Sequence, residues 1–210
     1  MRYDVAKTEL IDPAIDSPEW EKASVGELGW KPVPAGKFSA PETAFQLLRG
    51  PEGLSVRMQT QETGLRAVEE ENGDVCSDSC MEFFYKPSLW DARYFNIEIN
   101  PKGVMHFGLG VDRFDRVMIW EREALSIQTE VTDTGWTVKY YIPDSLVEAC
   151  YPNLEELSRG NKSCVARANF YKCGDKTARP HYAAWASITA ERMDFHIPDF
   201  FGQLVFEKAD

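Results

Sequence analysis

The feature that most constrains this chain is alternation. Short runs in which apolar and polar residues take turns are broken about every ten residues by Pro, Gly, Asn or Asp, the pattern of a β-sandwich. Strands are expected at 43–48, 53–59, 79–85, 93–99, 104–109, 116–120, 126–131, 136–141, 163–172 and 202–207. The turn chemistry agrees. "NPKG" at 100–103 puts Pro second and Gly fourth in a turn, and "DTG" at 133–135 offers Gly135 where a hairpin calls for positive φ. Helix is expected only at 144–150 and 153–159, where a capping residue precedes apolar positions at helical spacing. There is no repeat or low-complexity tract, and 210 residues suit one domain. The expected fold class is therefore all-β: an antiparallel, jelly-roll-like β-sandwich with one or two short helices, a single domain over residues 1–210.

Residues two apart on a strand share a face, so each run sorts into an inner and an outer side. Met81, Phe83 and Tyr85 fall inward and leave Glu82 outside; Phe95, Ile97 and Ile99 fall inward and leave Tyr94, Asn96, Glu98 and Asn100 outside. Met105, Phe107 and Leu109 leave His106 outside beside Gly108 and Gly110, whose missing side chains make room. Ala166, Ala168 and Phe170 leave Arg167, Asn169 and Tyr171 outside. An outer face of Asn, Glu, Arg, His, Tyr and Gly, rather than of Lys and Thr, suits a ligand with many hydroxyls. Fixed donors and acceptors read the hydroxyls, and an exposed ring covers a sugar's C–H face. The loop "GDKTARPHYAAW" after the last of these strands, stiffened by Pro180, adds His181, Tyr182 and Trp185 as a rim. The plain alternative is a solvated face with cross-strand pairs.

Charge narrows the partners. The net charge is −11, which repels a phosphate backbone, so nucleic acid is not expected. No segment approaches the ~20 apolar residues of a membrane span, and no leader is seen at the start, so the expectation is a cytoplasmic protein, or an extracellular one if a leader has been removed. The five cysteines are scattered; Cys76 and Cys80 make one close pair without the second set that a zinc site carries, and read as buried thiols.

The residues "IDPAIDSPEWEKA" at 11–23, "SDSCMEFFYKP" at 77–87, "YFNIEINPKG" at 94–103, "WTVKYYIPDSL" at 136–146, "ANFYKCGDKTARPHYAAW" at 168–185 and "DFHIPDFFGQLVFE" at 194–207 occur in that order along nearly the whole chain. Together they resemble the family 9 carbohydrate-binding modules, and more closely the stand-alone, family 9-like bacterial proteins. The resemblance implies a β-sandwich that binds sugars without cleaving them, in its best-known members by gripping a glucan or xylan end between two tryptophans. It implies Trp185 as the downstream ring and Glu82 as the acidic residue. Cys76 stands where the upstream tryptophan belongs, which halves the stacking surface; Trp90 in "SLWDARY" is a candidate replacement. Trp20 and Trp30 read as structural, and Trp120 and Trp136, within expected strands, as core or sheet surface rather than ligand platforms.

The first expectation is therefore non-catalytic carbohydrate binding by Trp185, Glu82, Asn96, Arg167, Asn169, Tyr171, His181, Tyr182, His106 and Trp90. A second is a glycan-processing enzyme with Glu82 and Glu98 as paired carboxylates; a third is a protein-interaction domain. A Ser or Cys nucleophile finds no motif here: there is no GxSxG, and Cys173 with His181 lacks an elbow. Structural calcium is a further possibility that the resemblance raises, with Glu69, Glu70, Asp74 and Asp78 in one acidic loop, although their spacing is not that of an EF-hand.

Overall fold

The computed structural model describes residues 1–32, 38–152, 154, 165–190 and 193–207. Its strands are β1 (Arg2–Lys7), β2 (Gly26–Glu27), β3 (Thr43–Arg49), β4 (Gly53–Thr60), β5 (Cys80–Lys86), β6 (Tyr94–Ile99), β7 (Met105–Gly110), β8 (Arg116–Met118), β9 (Gln128–Val131), β10 (Trp136–Pro143), β11 (Val165–Cys173), β12 (Tyr182–Ala184) and β13 (Gly202–Phe206), with one α-helix, α1 (Asp144–Cys150). One layer runs β8-β7-β6-β5-β11-β13-β1, with β12 also on β11; the other runs β1-β3-β4-β10-β9, with β2 on β3.

β1 joins the two layers. Its first residues pair with β13 and its last two, Ala6 and Lys7, pair with β3. Both pairings are parallel, so the expected antiparallel sandwich is in fact a mixed one, antiparallel at every other described pairing. The expected helix at 144–150 is present; the second, at 153–159, lies outside the described residues apart from Leu154.

The inner faces sort as the alternation predicts. Met81, Phe83, Tyr85, Phe95, Ile97, Ile99, Met105, Phe107, Leu109, Ala166, Ala168 and Phe170 all enter the main core, opposite Phe45, Leu47, Val56, Met58 and Val138 of the second layer. Phe45 stacks on Phe170 across the layers at 3.6 Å between ring centres. The NPKG turn joins β6 to β7 as expected, with Gly103 at φ +74° and its N–H donating to the Asn100 carbonyl. Gly135 does not have positive φ. It is required by close approach instead, since a Cβ there would lie 2.0 Å from the Thr60 carbonyl oxygen.

A second apolar cluster lies on the outer face of the first layer. Phe84, Tyr94, Tyr171, Cys80 and Cys173 from β5, β6 and β11 are covered there by Val75, Ile188, Phe195 and Phe201 from the long connections. The polar face is thus partly roofed, and the uncovered part of it is a cavity.

Candidate functional site

Antiparallel register lines up four outward residues across four strands. Tyr171 of β11 lies opposite Glu82 of β5, Glu82 opposite Glu98 of β6, and Glu98 opposite His106 of β7. Glu82, Glu98 and His106 form the floor of a cavity of about 260 Å³. Its walls are Gly73, Asp74 and Cys76 on one side and Met193, Asp194, Phe195 and His196 on the other, closed by Arg113, Arg116, Cys173, Asp175 and Tyr182.

Burial and the neighbouring Glu98 carboxylate raise Glu82 well above the usual carboxylate range. The Cys173 thiol donates to Glu82 Oε1 at 2.6 Å. His106 Nδ1 donates to the Gly73 carbonyl at 2.9 Å, which fixes the tautomer and leaves Nε2 as an acceptor without a partner among the described residues. Burial and Asp175 push the Tyr182 hydroxyl up to about 12, so it too stays a donor.

The two glycines of β7 explain how arginine reaches this face. β8 lies against β7 with Arg116 opposite Gly110, and a Cβ on Gly110 would sit 2.4 Å from Arg116 Cβ. A Cβ on Gly108 would meet Arg116 Cδ at 3.2 Å. The space that the glycines leave is thus filled by the Arg116 side chain, whose guanidinium bonds Asn96 Oδ1, while Asn96 Nδ2 donates to Glu98 Oε1 at 3.1 Å. Asn96 is a relay between Arg116 and Glu98, not an open ligand group.

The stretch 193–196 crosses the cavity and is held at three points. Arg113 Nη2 donates to Asp194 at 2.9 Å, His196 Nδ1 and the Tyr94 hydroxyl share a hydrogen bond of 2.8 Å, and the Tyr171 hydroxyl donates to the Phe195 carbonyl at 3.0 Å. Burial, then Arg113 and Arg116, bring His196 down to about 3, so its imidazole is neutral.

Of the ten residues read from the sequence as ligand-binding, Glu82, His106 and Tyr182 line the cavity, as does Glu98 from the alternative reading. Tyr171 lies behind its wall, stacked on Phe195 at 4.1 Å. Asn169 is fully buried and pins the chain after β12, bonding both the N–H and the carbonyl of Ala186. Arg167 reaches the Asp199 carbonyl at 3.4 Å, away from the cavity. His181 is buried beside Glu62 and Lys172, not on the outer face. Trp90 is exposed on the β5–β6 connection and does not line the cavity.

The family model for carbohydrate-binding family 9 matches residues 9–206. The chain belongs to carbohydrate-binding family 9. Among solved structures it is similar to a candidate carbohydrate-binding protein from Bacteroides uniformis ATCC 8492, with 26% identity, a TM-score of 0.75, and 98% of this chain and 99% of that one covered. Family 9 modules from Caldicellulosiruptor kristjanssonii, in complex with cellotriose and with glucose, share its fold at 12% identity and a TM-score of 0.67. They cover all of this chain and 95% and 97% of their own. No curated protein matched at a significant level.

The tryptophans are not placed as the resemblance implies. Trp185, expected to be the sugar platform, is only 4% exposed and faces the core, edge-on to Phe45 at 5.5 Å and to Phe170 at 6.0 Å. The reason is parity. Trp185 follows β12, where Ala183 faces the main core and Ala184 the outer cluster, so the next residue turns inward again. Cys76, in the place of the upstream ring, does line the cavity. Aromatic surface in this family 9 cavity comes instead from Tyr182, Phe195 and His196, and the arginines 113 and 116 were not anticipated. Arg116 had one signal, a short strand opposite a Gly-x-Gly run; the stretch 193–196 carries no periodic pattern to find.

The acidic loop does not gather a calcium-like oxygen cage. Asp78 pairs with Arg66 at 2.5 Å, Glu69 with the same Arg66 at 3.0 Å, and Asp74 with Lys176 at 3.0 Å. Among the described residues no three of these carboxylates bring their oxygens together. A hard cation needs at least six oxygens, so these residues do not fit calcium.

Proposed function

We propose that this family 9 protein binds the terminal unit of an oligosaccharide or polysaccharide in the cavity over β5, β6 and β7, without cleaving it. One observation supports this above the rest: a partly roofed cavity of about 260 Å³ whose floor presents Glu82, Glu98 and His106 in one cross-strand row. That volume lies below the ~300–1,000 Å³ of pockets for drug-sized ligands, so it suits one sugar ring and not a chain lying through it. Glu82, Glu98 and His106 Nε2 meet the sugar hydroxyls, Tyr182 donates to them, and Phe195 and Tyr182 meet the C–H face.

Binding is favoured over hydrolysis by the placing of the carboxylates. Glu82 and Glu98 are direct cross-strand neighbours on one sheet face. A glycosidase sets its two carboxyl groups on either side of the scissile bond, and both of these approach a ligand from below.

Relatives with glucose and cellotriose bound make glucans the first ligands to try. Calorimetric titration against glucan, xylan, mannan and host-glycan oligosaccharides, with product analysis of each mixture, tests the reading. The expected result is saturable binding of at least one oligosaccharide with no new reducing ends. Turnover would transfer Glu82 and Glu98 to a catalytic role, and silence across the panel would leave the face to a protein partner.

A further inference from the structure

Beneath the cavity floor lies a group of side chains of which sugar binding uses only Glu82. Cys80 and Cys173 are direct partners across β5 and β11, and Glu82, two residues beyond Cys80, shares their face. All three are at most 2% exposed, and their Sγ, Sγ and carboxylate oxygen lie within 4.8 Å of one another. They are the only such group of His, Cys, Asp and Glu among the described residues. Both cysteines are free thiols. Cys173 Sγ, besides its bond to Glu82, lies 3.4 Å from the Cys76 carbonyl oxygen. Neither Glu82 nor its neighbour Glu98 has a salt bridge among the described residues.

We propose that Cys80, Cys173 and Glu82 form a three-donor site for a thiophilic divalent cation, zinc by its chemistry, with the fourth position open to the cavity.

The geometry fits the ion. Zinc holds thiolate sulfur at ≈ 2.3 Å and carboxylate oxygen at ≈ 2.0–2.2 Å, so any two of its ligand atoms are at most about 4.6 Å apart. A triangle with no side above 4.8 Å closes on one ion with side-chain shifts of about an ångström. Soft sulfur donors select zinc over calcium or magnesium, and one carboxylate with two thiolates is a set that neither hard cation accepts. The donors stand on adjacent strands of a sheet, not on loops, so the site is already ordered. Cys76, Glu98 and His106 line the same cavity and supply a fourth donor if sugar or water does not. A dication here also relieves the repulsion between two adjacent carboxyl groups. The inference goes beyond sugar binding and does not depend on it, although the two share Glu82.

Cobalt(II) titration of the full chain under reducing, anaerobic conditions tests the proposal. One equivalent should produce thiolate-to-cobalt charge-transfer bands with tetrahedral d–d bands, and one equivalent of zinc should abolish them. Cys173→Ser and Cys80→Ser should lose most of the charge-transfer intensity, and Cys150→Ser, whose thiol is at the end of α1, should keep it. Because the buried variants can fail to fold, X-ray absorption on zinc-loaded wild type supplies a count that needs no mutant: two sulfur ligands per zinc. Cobalt spectra without thiolate bands, a zinc shell of nitrogen and oxygen only, or recovery of a Cys80–Cys173 disulfide that excludes metal would each overturn it. Sugar titration of the same samples is read separately, so loss of one function does not imply loss of the other.

Discussion

Single residues decide what this face can do, and Trp185 is the clearest case. Its ring packs against Phe45 and Phe170, and a Cβ on Gly202 would lie 2.4 Å from it. Truncating a buried aromatic ring typically costs about 3–5 kcal/mol through lost burial and the cavity left behind. Trp185→Ala is therefore expected to lower unfolding stability by about that amount, measured by chemical denaturation, while a platform residue would lose affinity and leave stability nearly unchanged. Glu82 and His106 were legible in the sequence because strand parity alone sends them to the outer face, and Tyr182 because it follows them in the loop stiffened by Pro180. Asn96 and Asn169 obeyed the same parity, yet their amides are spent on Arg116 and Ala186. Parity gives the side of a sheet and says nothing of what another segment lays over it.

At the scale of elements, the strands and the connections behave differently. Every expected strand is present within a few residues, because hairpin neighbours announce themselves by alternation and turn residues. β1 was not seen: Tyr3 and Val5 are its only fully buried apolar positions, and its partners β13 and β3 lie far along the chain. The covering stretch 193–196 was equally illegible, since it is placed by contacts from β6, β11 and the β7–β8 turn and not by a pattern of its own. Those contacts make a prediction. Tyr171→Phe removes the donor to the Phe195 carbonyl, and a lost buried hydrogen bond costs about 1 kcal/mol. Hydrogen exchange should quicken in the segment 193–201 and stay unchanged in β3, β4 and β10; uniform quickening would mean that the segment is not an independent cover.

The whole molecule couples two buried polar clusters to one sandwich. Besides the cavity, the far side of β11 buries Lys172 against Glu62 at 3.0 Å, with His181 Nε2 3.7 Å from the same carboxyl group and Trp136 Nε1 donating to it. Burial, and then the Lys172 charge, lower His181 to about 4 from an unfolded value near 6.5, against the opposing pull of Glu62. The folded protein thus holds His181 neutral, and the unfolded chain binds a proton that the fold refuses. Stability from this source is complete above pH 6.5 and is lost as pH falls from 6.5 towards 4. His196, held down to about 3, adds loss in the same direction. The thermal midpoint should fall across that window, and His181→Gln should flatten the fall; an unchanged slope would remove His181 from the account. The net charge of −11 repels a phosphate backbone, and family membership agrees with a sugar ligand. On the proposed reading the sugar enters the cavity over Glu98 and does not sit on the exposed Trp90 of the β5–β6 connection. Calorimetric titration of the best-binding oligosaccharide into wild type, Glu98→Gln and Trp90→Ala tests it most directly. Binding weakened at least tenfold in Glu98→Gln and kept within about twofold in Trp90→Ala is the predicted result, a tenfold loss being about 1.4 kcal/mol. The reverse pattern would place the sugar on the β5–β6 connection and contradict the account.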